Sequence, residues 1–343
     1  MTTPPTPSAP VRDLVTLATR APSVHNTQPW YWCVAGEGLA LFADRSRQLL
    51  HADPDGRDLI LSCGAALHHL EVAAAATGWR ARFHRMPNAY NDAQLADITF
   101  DPEPTTTAAL EALDALHRRR TDRRSLSPSP VPREELDALL ALGPRSGVTV
   151  IAVISHQARA ELIQILAEAD QAQRNNPDYV DEIIKWTGRE DDEGIPASSL
   201  LRPTRSHGIH DDGPMATPSR FPPGTLADDA PHEDVEPALL AVCTSSDDTA
   251  SRLRAGEALG ALLVHGTARG LAMVPLSQAI EVDRTRSLLQ NELLDDAVCP
   301  QILVQVGWAP PGREPVQPTR RRPVDEVLGD VATLPVHLGP YGG

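Results

Sequence analysis

GAALHHLEVAAAATGW (Gly64 to Trp79) set over GEALGALLVHGTARGL (Gly256 to Leu271) agrees at seven of sixteen positions, at an offset of 192 residues. The agreeing pairs are Gly64/Gly256, Ala66/Ala258, Leu67/Leu259, Leu70/Leu262, Val72/Val264, Ala76/Ala268 and Gly78/Gly270. Apolar residues at helical spacing followed by a stop glycine predict a helix in each copy, about Asp58 to Thr77 in the first and Ala250 to Arg269 in the second. A second match lies upstream at an offset of 122, where Leu14, Leu17 and Pro22 fall on Leu136, Leu139 and Pro144. Two Ala/Leu-rich helices that end in glycine can agree by chance, but two matches in the same order favour an internal duplication.

Outward from these helices the chain reads as alternating short elements. Helical spacing runs from Val11 to Arg20 and stops at Ala21-Pro22. Trp30 to Val34 and Leu39 to Phe42 read as strands joined by a hairpin at Gly36-Glu37-Gly38. The turn His51 to Gly56 offers Asp53 or Asp55 as a cap for the helix that follows. In the second copy, Glu134 to Leu142 and Ala158 to Gln173 read as helices, and Val148 to Ile154, Leu271 to Val274 and Gln301 to Val306 as strands. The Pro/Thr/Ser-rich residues 1–10 read as a flexible arm, 11–110 as a first half and 111–335 as a second. Residues 187–236 are rich in Pro, Gly, Asp and Ser without sustained period, as expected of a lid or insert loop.

The halves diverge in complementary ways. Only the first carries the loop APSVHNTQPW (Ala21 to Trp30), which the second replaces with Gly143 to Gly147. Only the second carries RRRTDRR (Arg118 to Arg124) ahead of its helix, and Arg320-Arg321-Arg322-Pro323 at its end. A fused dimer that keeps one of its two sites has this pattern.

Composition narrows the function classes. The 343 residues are ample for a sizeable core, and a net charge of −15 repels a nucleic-acid backbone. Lys185 is the sole lysine, which leaves little room for lysine chemistry. Cys33, Cys63, Cys243 and Cys299 form no C-x-x-C pair and read as buried thiols. MTTPPTPSAP has neither a basic start nor an apolar stretch, and no uninterrupted apolar run approaches the ~18 residues of a membrane span, so a cytoplasmic chain without membrane contact is expected.

In an acidic chain, five arginines and a hydroxyl within Arg118 to Arg124 suit one specific anion, since guanidinium forks grip phosphate bidentately. Their plain alternative is a solvated helix end paired with Asp122, Glu134 or Glu135. Ser23, Asn26 and Gln28 stand between stiffening prolines and suit the edge of a heteroaromatic ligand, or else cap a rigid turn. Gly36-Glu37-Gly38 lacks the context of a dinucleotide fingerprint, and P-loop and nucleophile-elbow motifs are missing. His68-His69 has the wrong helical spacing for joint metal ligation, and His207 to Asp212 is a weak metal motif in the insert, so no metal is expected.

Taken together, the segments resemble the flavin-dependent nitroreductase family. APSVHNTQPW is similar to its APS-x-x-N-x-QPW segment, RRTDRRSLSPSPVPREELDALL (Arg119 to Leu140) to its RRS-x-R segment, and PQILVQVGWAPPGREPVQPTRRRPVDEVL to its C-terminal strand and tail. Their order resembles the mycobacterial Acg subfamily, in which two nitroreductase-like halves share one chain. The resemblance covers nearly all of residues 11–330 outside the insert. It implies an α+β nitroreductase-like fold of two pseudo-symmetric halves, with mixed and antiparallel sheets flanked by helices. It further implies one non-covalent FMN per chain, with NAD(P)H as donor and a small aromatic, quinone or nitro acceptor. Carried over residue by residue, Arg119, Thr121 and Arg123, helped by Arg320 or Arg321, hold the phosphate and ribityl chain. Pro22, Ser23, Asn26 and Gln28 supply the loop beside the isoalloxazine, and the backbone at Pro275 and Leu276 approaches the ring. Thr121 stands where the family usually has Ser and keeps the hydroxyl. No catalytic side chain is named, because flavin carries the redox chemistry. The resemblance also implies a lid over the flavin, and with it FMN storage or a specialised dehydrogenase as alternatives to turnover. The chain is expected to be a monomer that mimics a dimer, or to dimerise further.

Overall fold

Each of the two sequence copies folds as a helix, two strands, a long helix and two more strands. In this computed structural model, which describes residues 9–153, 155–203, 220–228, 237–294 and 296–338, the first copy runs α1 (Val11–Ala18), β1 (Trp30–Ala35), β2 (Gly38–Ala43), α2 (Arg57–Ala76), β3 (Trp79–Arg85) and β4 (Gln94–Pro102). After α3 (Thr107–Arg118), the second runs α4 (Arg133–Leu140), β5 (Thr149–Val153), α5 (His156–Arg174), α6 (Pro177–Lys185), β6 (Ala238–Thr244), α7 (Thr249–Ala268), β7 (Leu271–Leu276), α8 (Gln278–Glu281), α9 (Asp283–Leu288) and β8 (Cys299–Trp308). A tail adds α10 (Val324–Val327) and β9 (Leu328–Asp330). The bounds of α4 lie 122 residues after those of α1, and the bounds of α7 lie 192 after those of α2. These are the two offsets read from the sequence.

The sheets repeat the same order. One is β3-β4-β2-β1 with β9 added, the other β7-β8-β6-β5, so third, fourth, second and first strands adjoin in both. All pairs within a half are antiparallel, and β9 joins β1 in parallel register, Trp32 opposite Leu328. The chain is therefore an α+β fold of two pseudo-symmetric halves. Its C-terminal strand completes the sheet of the first half.

Local chemistry sets the element ends. Gly36 turns the β1–β2 hairpin at φ +60°, and Gly78 and Gly270 end α2 and α7 at φ +88° and +80°. Asp53 Oδ2 accepts the Leu59 N–H at 2.8 Å, capping the start of α2, and Asp248 Oδ1 does the same for Ser251 at the start of α7.

α2 and α7 pack against each other through the agreeing glycines. A Cβ on Gly64 would overlap the Leu253 carbonyl and stand 2.9 Å from Gly256 Cα; a Cβ on Gly256 would overlap the Leu61 carbonyl and stand 2.9 Å from Gly64 Cα. Residues 61 and 253 are themselves equivalent at the 192 offset, so the contact is isologous, like that across a dimer axis. By length and composition α2 matches a membrane span, but 78% of that window is buried inside the fold and packs as a core helix.

Some elements escaped the sequence reading. β3 alternates exposed Arg80 and Arg82 with inward Ala81 and Phe83, so it reads as a charged stretch. β6 is buried throughout, a short apolar run with no period to separate strand from helix. α6 lies just ahead of the insert, capped by Asn176. Residues 1–8 and His207 to Asp212, with the weak metal motif, lie outside the described residues. Among the described residues no His/Cys/Asp/Glu group suits a metal.

Gly64→Ala and Gly256→Ala should each destabilise the fold by about 1–3 kcal/mol or more, because neither helix backbone can retreat without losing its core contacts. Equilibrium urea unfolding measures this, and the double variant should fall short of additivity because both clash at one crossing. A second expectation concerns Asp247. Partial burial pushes its carboxyl up, but hydrogen bonds from Arg57, Arg252 and Gln301 outweigh that and hold it down to about 2. The stability it contributes is complete above the unfolded carboxylate value of about 3.9 and is lost as pH falls through about 2. Asp247→Asn should flatten that part of the acid-unfolding curve.

Candidate functional site

Two adjoining cavities form one trough between the halves. The wider, of about 250 Å³, is walled by the loop after α1, the first turns of α2, the stretch after α3 and the end of β7. The narrower, of about 90 Å³, continues from it. Pro22, Ser23, His25, Thr121 and Arg123 line both. Apolar side chains Leu61, Leu259, Val274 and Ile302 give the wide end its floor and walls.

The narrow end is cationic. Arg20, Arg119, Arg120, Arg123 and Arg321 all line it, and among the described residues none of the five forms an ion pair. Their donors find neutral oxygens: Arg119 Nη2 donates to Arg20 O (3.2 Å), Arg321 Nε to Thr19 O (2.9 Å) and its Nη1 to the Thr319 hydroxyl, and Arg20 Nη2 to His117 O (3.1 Å). Nε of Arg119 and of Arg20 is buried with no partner. Burial, then the neighbouring guanidiniums, pull Arg119 down to about 10 and Arg321 to about 9; burial, then Arg220, pulls Arg123 to about 10. A guanidinium does not give up its proton near neutrality, so such a cluster calls for an anion. Of the plain alternative one pairing forms, Asp122 with Arg124 at the end of the stretch, while Glu135 pairs with Arg269 instead.

The loop after α1 reaches the trough through an uncommon backbone. His25, Asn26 and Gln28 hold φ of +45°, +58° and +51°, each costing about 1–3 kcal/mol unless the surroundings impose it. Ser23 Oγ accepts the Gln28 N–H at 3.0 Å and Ser62 Oγ accepts the Val24 N–H at 3.1 Å. Gln28 is fully buried: its amide donates to Asp192 O (2.8 Å) and accepts from Arg322 N (2.9 Å). Asn26 Nδ2 donates to Gly194 O (3.0 Å) and Arg320 O (3.2 Å), leaving Oδ1 buried and unpartnered beside the narrow cavity.

The trough thus gathers Pro22, Ser23, Asn26, Arg119, Thr121, Arg123, Pro275, Leu276 and Arg321. Gln28 and Arg320 stand apart, Gln28 as a tie between Asp192 and Arg322, Arg320 exposed and contributing its carbonyl. Arg20, His25, Asp58, Ser62, Arg220 and Phe221 also line it and went unnamed in the sequence reading. Of these, His25 lies inside the APSVHNTQPW segment and Arg20 one residue ahead of it, while the others carried no motif.

No protein-family profile matches the chain. A Mycobacterium tuberculosis protein provisionally named NAD(P)H nitroreductase Rv3131 is 38% identical over 328 residues, covering 93% of this chain and 90% of its own. Another from the same organism, provisionally named NAD(P)H nitroreductase acg, is 36% identical over 324 residues, covering 93% and 95%. The chain belongs to the NAD(P)H nitroreductase family. Among solved structures, the FMN-dependent nitroreductase NfnB of Mycobacterium smegmatis in complex with NADPH is similar over 64% of this chain and 97% of its own, at 17% identity and a TM-score of 0.42.

In this nitroreductase-family chain, residues of the insert roof the wide cavity. Leu200, Leu201, Arg220 and Phe221 form the roof. Arg220 reaches Glu281, Ser277 Oγ (3.2 Å) and Tyr179 OH (3.4 Å). The Arg123 and Arg220 guanidiniums lie 5.1 and 5.2 Å from the Phe221 ring, and His25 meets it edge-on at 5.5 Å. Burial, then Arg220 and Arg123, hold His25 well below the usual histidine range, so its imidazole is neutral. Farther out, Arg47 pairs with Glu193, and Asp228 accepts from Ser125 Oγ (2.7 Å) and Arg313 (2.9 Å).

The unpaired arginines generate an expectation that needs no cofactor. Inorganic phosphate or sulfate should raise the melting temperature, by mass action worth about 2.7 kcal/mol at a hundredfold excess over Kd. Arg119→Ala with Arg321→Ala should abolish that dependence in a thermal melt, and salt of the same ionic strength without an oxyanion should not reproduce it.

Proposed function

We propose that the chain binds one FMN non-covalently in the trough and passes electrons from NAD(P)H to a small aromatic, quinone or nitro acceptor. One observation carries this reading: a buried, uncompensated arginine cluster runs without interruption into an apolar chamber, as a phosphate joined to a planar ring system requires. The donor set fits. Arg119, Arg321, Arg123 and the Thr121 hydroxyl would hold the phosphate and ribityl end. Pro22, Ser23 and Asn26 would lie beside the ring, with the β7 backbone at Pro275 and Leu276 against it. When bound, the flavin supplies hydride acceptance and release; the chain holds it, keeps water out and shapes the acceptor's place. Relatives named as NAD(P)H nitroreductases support the donor.

The division into a first half of 11–110 and a second of 111–335, with 187–236 as lid, is part of this proposal. The two halves would meet as two subunits do, giving one site per chain. FMN storage is the second reading, favoured by the Arg220–Glu281 and Arg47–Glu193 pairs that tie the roof down.

A visible spectrum of the chain after FMN loading and desalting tests the reading. A flavin band at one equivalent is expected in the wild type, and a large loss of it in Arg119→Ala with Arg321→Ala; full retention in that variant would overturn the phosphate assignment. Anaerobic NADPH, then NADH, should bleach the band quickly. Bleaching by dithionite alone would favour storage, and Arg220→Ala should then restore reduction by NADPH if the roof is the barrier.

A further inference from the structure

Asp58 is a carboxyl in the wall of a chamber whose other charged lining residues are the arginines Arg123, Arg124 and Arg220. It sits in the first turn of α2, is 4% exposed, lines the wide cavity and leaves Oδ2 buried without a partner. It also lines a second, small cavity of about 10 Å³, the order of space one water needs. Among the described residues Asp58 is common to both linings, and the small cavity includes Pro54 and Asp55 at the exposed surface. The carboxyl therefore stands between solvent and the interior of the trough.

Its surroundings fix its charge state. Burial, then the carboxylates of Asp53 and Glu281, push Asp58 well above the usual range, against the opposing pull of Arg220 from the roof and Arg57 on its own helix. Glu281 is already satisfied by Arg220, Ser277 Oγ (2.6 Å) and Gln173 Nε2 (2.7 Å). Burial lifts Asp53 only to about 7, because backbone N–H groups at the start of α2, Leu59 above all, hold it back. Asp55 and Arg286 are the remaining charged residues lining the small cavity. Of the adjacent pair, Asp53 has the backbone donors that favour a carboxylate and Asp58 has none, so the proton resides on Asp58.

The geometry points to Asp58 as the proton donor of the wide cavity, resupplied from the surface through Asp53 and the small cavity. This rests on the redox reading above and deepens it. A quinone becomes a hydroquinone by gaining a hydride and a proton. Both electrons come from the reduced nicotinamide, which leaves oxidised. The Oδ2–H bond of Asp58 breaks, its proton forms the new O–H, and the carboxylate left behind takes a proton from water by way of Asp53. A protonated Asp58 also donates a hydrogen bond, which selects acceptors with an oxygen at that point, quinones and nitroarenes alike.

The test has two arms. In the first, infrared difference spectra of the flavin-free chain are followed from about pH 5 to about pH 9. A carboxylic-acid carbonyl band present at neutrality in the wild type and missing in Asp58→Asn is expected; an Asp58 already ionised at neutrality would overturn the proposal. In the second, the FMN-loaded chain is reduced with NADPH and mixed with 1,4-benzoquinone. Asp58→Asn should slow quinone reduction by about 10²–10⁴-fold and abolish its solvent isotope effect. An unchanged rate, with FMN content equal to wild type, would overturn it. If the wild type takes up no FMN, the redox reading fails instead, and the infrared arm still decides the state of Asp58.

Discussion

The crossing of α2 and α7 at Gly64 and Gly256 is the constraint on which the other parts depend. Two helix backbones approach closely only where neither carries a Cβ, and here each glycine faces the carbonyl of the other helix's equivalent leucine, Leu253 or Leu61. That contact sets the distance between the halves. The trough lies beside it, with Leu61 and Ser62 of α2 and Leu259 of α7 in its walls, so a shift of one helix would change the chamber's width. Leu61 packs with the core of the second half, and Leu253 with that of the first, an exchange that locks the two cores together.

Against that rigid centre the narrow end is deliberately unbalanced. Five guanidiniums converge with no carboxylate among them, while carboxylates nearby are engaged elsewhere: Asp122 with Arg124, Glu281 with Arg220. Buried like charges destabilise a fold, and it tolerates them where a bound anion compensates. The strained loop belongs to the same arrangement. Asn26 and Gln28 are fixed by hydrogen bonds to Gly194 and Asp192 and to the tail at Arg320 and Arg322, so the loop, that segment and the tail hold one another in place.

What the sequence made legible were features with a local cause. The duplication was readable because its helices share a glycine at the crossing and another at the stop, positions where no other residue serves. Arg119, Thr121 and Arg123 drew attention as a candidate anion site because five arginines within seven residues need a reason in an acidic chain, whereas Arg321 was reached only through the family resemblance. An amide in a stiff loop suits a ligand as well as it suits backbone, and the Gln28 bond to Asp192 O had no motif to announce it. Asp58 was hidden because an acid in the first turn of a helix has an ordinary explanation, and only tertiary burial beside Asp53 and Glu281 removes it. Arg220 and Phe221 had no motif; their place over the cavity follows from long-range pairing.

The pseudo-symmetry also shows how the side opposite the trough differs from it. At the 192 offset, the place of Ser277 beyond β7 is taken in the first half by Arg85 at the end of β3, and that of Ala65 on α2 is taken on α7 by Glu257. These two meet as a bidentate pair, Nε to Oε1 at 2.7 Å and Nη2 to Oε2 at 2.6 Å, with Glu257 buried. Where one side has the small residues Ala65 and Ser277, the other has a guanidinium and a carboxylate satisfying each other. The first half also has no arginine cluster to match Arg118 to Arg124, and the second no loop to match Ala21 to Trp30. Restoring the second site would therefore need a loop, a cluster and the removal of an ion pair at once, and no single substitution supplies more than one of these.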